Sequence, residues 1–267
     1  MVISHQSSVV GNTSSGSMLE VKNLKVWYES TLAVDNVLLE IAQGETLGLV
    51  GKSGSGKSTI AWTVMGMVGY IGGEYTGEIY FRGNLLNKPN DYNSILWKKL
   101  AIVPQAAMNS FNPVMKIRCS IKEVLKYHCP ELSSEERRIR YKELMEIVQL
   151  SEEVLSYYPH QMSGGMKQRA ALAKALACKP ELLILDEATT GLDVLTEANL
   201  LKVVRELQRE ENMSIMFISH DMRLIRSLCD RKVALKDGKI VSDTDEYFKE
   251  LVEDSYWMLP KGEKEYV

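Results

Sequence analysis

Gly51-Lys52-Ser53-Gly54-Ser55-Gly56-Lys57-Ser58-Thr59 fits the pattern G-x-x-x-x-G-K-[ST], and the rest of the chain is organised around it. The apolar run Thr46-Leu47-Gly48-Leu49-Val50 precedes it, and Ile60-Ala61-Trp62-Thr63-Val64-Met65, which can form a helix, follows. A strand that feeds a glycine-rich turn lets backbone N–H groups wrap phosphate oxygens, while the next helix aims its positive end at the same charge. Gly54 and Gly56 permit backbone conformations that a Cβ would obstruct. Lys57 is placed to pair with β- and γ-phosphates, and Ser58 to give its hydroxyl to Mg²⁺. An incidental Gly/Ser loop would lack the flanking strand and helix.

Composition sets the outer bounds. Over 267 residues, 45% hydrophobic and 25% charged side chains describe a globular chain able to bury a real core. A net charge of −3 offers no basic surface for nucleic acid, so no nucleic-acid partner is expected. Cys119, Cys129, Cys178 and Cys229 are scattered, without C-x-x-C spacing, and read as reduced, mostly buried thiols. No apolar run reaches the ~20 residues of a transmembrane helix, so work at a membrane needs other chains to cross it.

Outward from the loop, residues 1–17 read as a disordered leader or linker, with Met18 as a natural start. Leu19 to Val26 and Ala33 to Ile41 read as strands, with Trp27-Tyr28 between them. Glu78-Ile79-Tyr80-Phe81 is a further short strand, and Ile95 to Val103 leads to Pro104-Gln105. From about 106 to 160 the pattern turns helical: Ser133 and Glu136 form a capping box, and Ile139, Leu144, Ile147 and Val148 recur at helical spacing. This region is expected to be a helical insertion between two halves of an α/β core. After Gly165 the core resumes with the helix Met166–Ala177, the buried strand Leu182–Leu185 ending at Asp186-Glu187, and the helix Leu195–Glu211. The strand Ser214–Ser219 ends at His220, and Val233–Val241 is a hairpin around Asp237-Gly238. Residues 242–267 form a polar tail with no interpretable motif.

Two further stretches carry chemistry. Asp186 at the carboxyl end of a strand can hold Mg²⁺, and Glu187 can orient and deprotonate an attacking water. Met162-Ser163-Gly164-Gly165-Met166, before a helix, is a second anion cradle. One nucleotide has no evident use for two cradles, so the second is expected to serve a nucleotide held by another copy.

In this order the motifs resemble the ATP-binding cassette subunit of an ABC transporter from about Leu19 to Val241. The resemblance implies an α/β fold: a P-loop NTPase (RecA-like) core, an N-terminal antiparallel β subdomain and an inserted helical subdomain. The cassette would span 18–241. The resemblance also implies roles. Tyr28 matches the aromatic that stacks on adenine, and Ser53, Gly54, Ser55, Gly56, Lys57, Ser58 and Thr59 match the Walker A loop. Gln105 matches the glutamine that reaches Mg²⁺ and senses γ-phosphate. Ser163, Gly164 and Gly165 match the signature that completes a partner's site, and Asp193 matches the D-loop. Asp186 and Glu187 match the Walker B aspartate and catalytic base, and His220 the switch histidine. Met162 stands where leucine is usual, and Thr190-Gly191 where serine-containing variants are common.

The stretches Asn109-Ser110-Phe111-Asn112-Pro113-Val114-Met115 and Tyr158-Pro159-His160-Gln161, with Met166 in place of glutamine, are similar to the dipeptide/oligopeptide/nickel importer branch. The implied function is ATP hydrolysis, with ATP and Mg²⁺ as cofactors, that drives peptide import. The implied partners are a second cassette, two transmembrane permease subunits and an extracytoplasmic binding protein, with this chain peripheral on the cytoplasmic face. Oligosaccharide import by the same machinery, or a soluble ABC ATPase without a permease, are the other readings.

Overall fold

A computed structural model describes residues 16–105, 107, 110–242, 245–247 and 250–251. The leader up to residue 15, Asn109 and most of the tail lie outside them.

The chain opens with two long antiparallel strands, β1 (Ser17–Tyr28) and β2 (Thr31–Ala42). Next come β3 (Thr46–Val50) and helix α1 (Lys57–Val64), which starts inside the glycine-rich motif rather than after it. β4 (Gly73–Phe81), β5 (Asn84–Leu85), the short α2 (Pro89–Asn93) and β6 (Leu100–Val103) complete the first half. The expected strand at 78–81 extends back to Gly73, through Gly77 at φ +109°. A Cβ there would lie 2.7 Å from the Asn23 and Lys22 carbonyls.

The insertion is helical, as expected. It consists of α3 (Ile117–His128), α4 (Ser134–Ile147) and short 3₁₀ turns, and α5 (Gly164–Ala175) follows where the core resumes. The Ser133–Glu136 capping box forms at the start of α4: Glu136 N–H donates to Ser133 Oγ at 3.2 Å, and Ser133 N–H to Glu136 Oε2 at 2.7 Å. Leu144 and Val148 are buried, but Ile139 is 48% exposed. Helical spacing alone does not separate the packed stripe from its edge, and Ile139 falls on the edge.

The second half consists of β7 (Leu182–Asp186), α6 (Val194–Glu211), β8 (Ser214–Ser219), α7 (Met222–Leu228), β9 (Arg231–Lys236) and β10 (Lys239–Val241). A six-stranded sheet runs β10-β9-β3-β8-β7-β6, and a four-stranded sheet runs β2-β1-β4-β5. Strands β9, β3, β8, β7 and β6 run parallel to one another and β10 joins β9 antiparallel, whereas the smaller sheet is antiparallel throughout.

Both faces of the large sheet are covered, which explains its continuous apolar runs. Leu182 and Ile184 face the cluster shared with α1 and the antiparallel sheet. Leu183 and Leu185 face the opposite cluster, shared with α3 to α7. The pleat's period of two therefore divides each buried strand between two cores.

Of the four free cysteines, only Cys129 is fully buried; Cys178 and Cys229 are half-buried and Cys119 is exposed. The expectation of mostly buried thiols is corrected here: Cys119 lies at an exposed position of α3. Among the described residues, no helix is long and apolar enough to cross a membrane.

Candidate active site

Register places the site. Val50 pairs with Ser219, and Asp186 with Ile218, so β3, β8 and β7 release their carboxyl ends at one level of the sheet. Val103 of β6 pairs with Leu185, and Gln105 follows two residues later.

The glycine-rich loop leaves β3 at Gly51. A Cβ there would lie 2.3 Å from the Leu235 carbonyl oxygen. Gly56, at φ +103°, caps α1, and a Cβ would lie 2.7 Å from the Ala33 carbonyl oxygen. Side chains are excluded at these points, and the loop stays thin against β9 and β2. Gly54 also has positive φ, +80°, but open space around it. Lys57 is 4% exposed. Its ammonium donates to the Gly51 carbonyl at 2.8 Å, the Lys52 carbonyl at 3.0 Å and Ser55 Oγ at 3.5 Å. Burial pushes this ammonium below its usual range, against the carboxylates of Glu187 and Asp186, which favour its charged form.

Asp186, 0% exposed, accepts a hydrogen bond from Ser58 Oγ at 3.0 Å on Oδ1. Its Oδ2 is buried with no hydrogen-bond partner. Burial pushes the carboxyl up to about 6, reinforced by the Glu187 charge and opposed by the Ser58 hydroxyl. A buried carboxylate with one unpaired oxygen beside a serine hydroxyl has the chemistry of a hard divalent cation site, and Mg²⁺ fits it.

Glu187 lies in the left-handed region, φ +48°, a conformation that costs a non-glycine residue about 1–2 kcal/mol. Its N–H extends the ladder to the Ile218 carbonyl at 3.0 Å, after which the chain turns away from the sheet. Its carboxylate lies between two side chains: Gln105 Nε2 is 2.9 Å from Oε2, and His220 Nδ1 is 3.5 Å from Oε1. The structure thus gathers Lys57, Ser58, Gln105, Asp186, Glu187 and His220, which come from four separate stretches of sequence. Asp221, rather than His220, caps the following helix.

Tyr28 and the second cradle have other partners. The Tyr28 ring packs on Gly73, where a Cβ would be 2.8 Å from it. Ser163 caps α5 by accepting the Met166 N–H at 3.2 Å. Asp193 caps α6, accepting the Thr196 N–H at 3.0 Å and hydroxyl at 2.7 Å. These two helix starts touch: a Cβ on Gly165 would lie 2.7 Å from Thr196 Cγ2. Signature and D-loop positions thus meet at the paired starts of α5 and α6.

Sequence reasoning missed Tyr247. Its hydroxyl accepts the Lys52 N–H at 2.8 Å, on the phosphate loop itself. The tail shows no periodicity that would mark it.

A strand, a thin glycine loop around a buried lysine, and acidic side chains at the ends of neighbouring strands define a P-loop nucleotide triphosphatase. The family model described as ABC transporter matches residues 34–190, and the chain belongs to that family. It is 40% identical over 245 residues to the oligopeptide transport ATP-binding protein AppD of Bacillus subtilis, covering 88% of this chain and 74% of AppD. It is 37% identical over 233 residues to the oligopeptide transport ATP-binding protein OppD of Haemophilus influenzae, covering 83% and 71%. Among solved structures, the ATP-binding cassette MJ0796, in a dimeric post-hydrolysis state bound to ADP and Pi, superposes with a TM-score of 0.74. That match has 29% identity and covers 84% of this chain and 97% of that one. The protein is accordingly an ATP-binding and ATP-hydrolysing subunit with the cassette fold, and binding of ATP and Mg²⁺ follows from family membership.

Proposed function

We propose that this chain energises an importer of oligopeptides or dipeptides, working at the cytoplasmic face of a membrane with two permease subunits, an extracytoplasmic binding protein and a second cassette. The substrate class is supported by the peptide transporters AppD and OppD, and the second cassette by the dimeric state of MJ0796. The observation that carries the site is the buried Asp186, with its unpaired Oδ2, beside Ser58 and Lys57.

In this reading Ser53 to Thr59 supply the amides for phosphate, and Lys57 neutralises the β- and γ-phosphates. Ser58, Asp186 and Gln105 would hold Mg²⁺, which would offset phosphate charge when bound. Glu187 takes a proton from the attacking water, and the left-handed turn of its backbone fixes where that carboxylate points. His220 and Gln105 hold its two oxygens until nucleotide binds. Tyr28 stacks on the adenine. Ser163, Gly164, Gly165 and Asp193 face the nucleotide of the other cassette, a reading supported by the dimeric state of MJ0796.

Closure of two cassettes must also move membrane subunits. A groove of about 850 Å³ beside Pro104, lined in part by α1, α2 and α5, includes Trp62, Tyr70, Tyr92 and Trp97. We assign it to a cytoplasmic helix of the permease, next to Gln105, so that closure at the nucleotide is felt at the permease.

The test is reconstitution with the co-purified membrane subunits and binding protein. Peptide-loaded binding protein should stimulate ATP hydrolysis, and oligosaccharide should not. Stimulation by oligosaccharide alone would overturn the substrate class, and purification without any multi-span partner would overturn the transporter assignment.

A further inference from the structure

Tyr247 belongs to none of the motifs, yet it touches the phosphate loop at a telling atom. Its hydroxyl accepts the N–H of Lys52 at 2.8 Å. That N–H belongs to the Gly51–Lys52 peptide, whose carbonyl oxygen accepts the Lys57 ammonium, also at 2.8 Å. In a trans peptide the C=O and N–H point in opposite directions. Tyr247 and Lys57 therefore hold opposite edges of one plane.

The grip on Tyr247 is itself firm. The residue is 5% exposed, and its N–H donates to Asp245 Oδ1 at 2.8 Å. Two ammonium groups lie over its ring, Lys236 at 5.0 Å and Lys52 at 5.7 Å from the centroid. Lys52 Nζ also pairs with Glu250 at 2.9 Å. Nearby, the β9–β10 turn ties the loop a second time, through Gly238 N–H to the Ser55 carbonyl at 3.0 Å.

We propose that Tyr247 is a positioning residue for the phosphate site: by fixing the Gly51–Lys52 peptide plane, it keeps the Gly51 carbonyl turned toward Lys57 and so sets the lysine ammonium for the nucleotide phosphates. The inference rests on the reading of residues 51–59 as the ATP phosphate loop. Without the hydroxyl, the Lys52 N–H loses this acceptor, and the plane is held less firmly against turning away from the lysine. Binding must then order both, and affinity falls because the site is no longer set in advance. A residue C-terminal to the last strand of the cassette thereby controls the affinity of its central loop.

Tyr247→Phe tests this, since it keeps the ring and its cation contacts and deletes only the hydroxyl. In full-length protein that melts cooperatively, Kd and KM for MgATP should rise about fivefold to tenfold, the size expected for one lost hydrogen bond to a buried group, with a much smaller change in kcat. The decisive comparison is with Lys57→Ala. In that background Tyr247→Phe should weaken MgATP binding less than about twofold, because the hydroxyl acts through the lysine. Wild-type affinity in Tyr247→Phe, or an equal loss in both backgrounds, would overturn the inference while leaving the phosphate-loop reading intact. Wild-type protein that fails to bind MgATP, or Lys57→Ala with undiminished affinity, would overturn both.

Discussion

Replacing Asp186 with asparagine should make the nucleotide-free protein more stable and its MgATP complex weaker. Asp186 is 0% exposed, with Oδ1 bonded to Ser58 and Oδ2 buried and unpaired. Its carboxyl titrates near 3.8 in the unfolded chain and is pushed up to about 6 on folding. A raised carboxylate pKa means that the folded state resists ionisation. The penalty is absent below pH 4, grows as pH rises through the window between the two values, and is fully present above about 6. The difference between 3.8 and about 6 corresponds to about 3 kcal/mol. Asparagine keeps the acceptor for Ser58 and removes the charge, but leaves an unpaired amide N–H that costs about 1–2 kcal/mol. The net gain is therefore about 1–2 kcal/mol at pH 7.5. Urea unfolding of both proteins in chelator, without nucleotide, at pH 4 and pH 7.5 measures it. The advantage should appear at pH 7.5 and reverse at pH 4, where only the cost of the unpaired amide remains, and the rise in thermal midpoint that MgATP should give the wild type should be largely lost in the variant. A variant less stable than wild type at pH 7.5, or a difference that does not change with pH, would refute the reasoning.

Gly56→Ala forces a Cβ to 2.7 Å from the Ala33 carbonyl at φ +103°, so it should destabilise the fold by about 3 kcal/mol and weaken MgATP binding, measured by unfolding and by fluorescence titration. Gln105→Ala removes both a proposed Mg²⁺ ligand and the donor that holds Glu187 at 2.9 Å, and should lower kcat about tenfold and weaken MgATP binding several-fold, measured by steady-state phosphate release and nucleotide titration. Arg140→Met strips the Leu176 and Ala177 carbonyls, at the end of α5, of a buried guanidinium that donates to them at 2.6 and 3.0 Å. It should cost about 2–3 kcal/mol of stability and leave MgATP affinity unchanged, and denaturant melts with a parallel binding assay separate the two effects.

The α/β core was legible because its strands are buried on both faces and so stand out as Thr46–Val50, Leu182–Asp186 and Ser214–Ser219, each ending in site residues. The residues gathered at the site were legible only as an ordered series. Nothing local to Gln105 or His220 shows that both meet the Glu187 carboxylate, since that depends on the parallel register of β6, β7 and β8. Helix periodicity over-reached at Ile139, where the stripe meets solvent. The 78–81 strand was cut short because a glycine inside a strand looks like its end, whereas Gly77 is accommodated by close backbone approach. Tyr247 was invisible for a different reason: its partner is a backbone N–H, which every residue but proline carries, so no side-chain pattern records the contact.

The central claim is that this chain hydrolyses ATP with Glu187 as the base, on a phosphate site built by Lys57, Ser58 and Asp186. Its most direct test pairs MgATP binding with phosphate release in wild type and Glu187→Gln. The substitution preserves size and removes only the basic oxygen. The variant should bind MgATP with at least wild-type affinity while its turnover falls by about a hundredfold or more. Hydrolysis at the wild-type rate by Glu187→Gln would contradict the account.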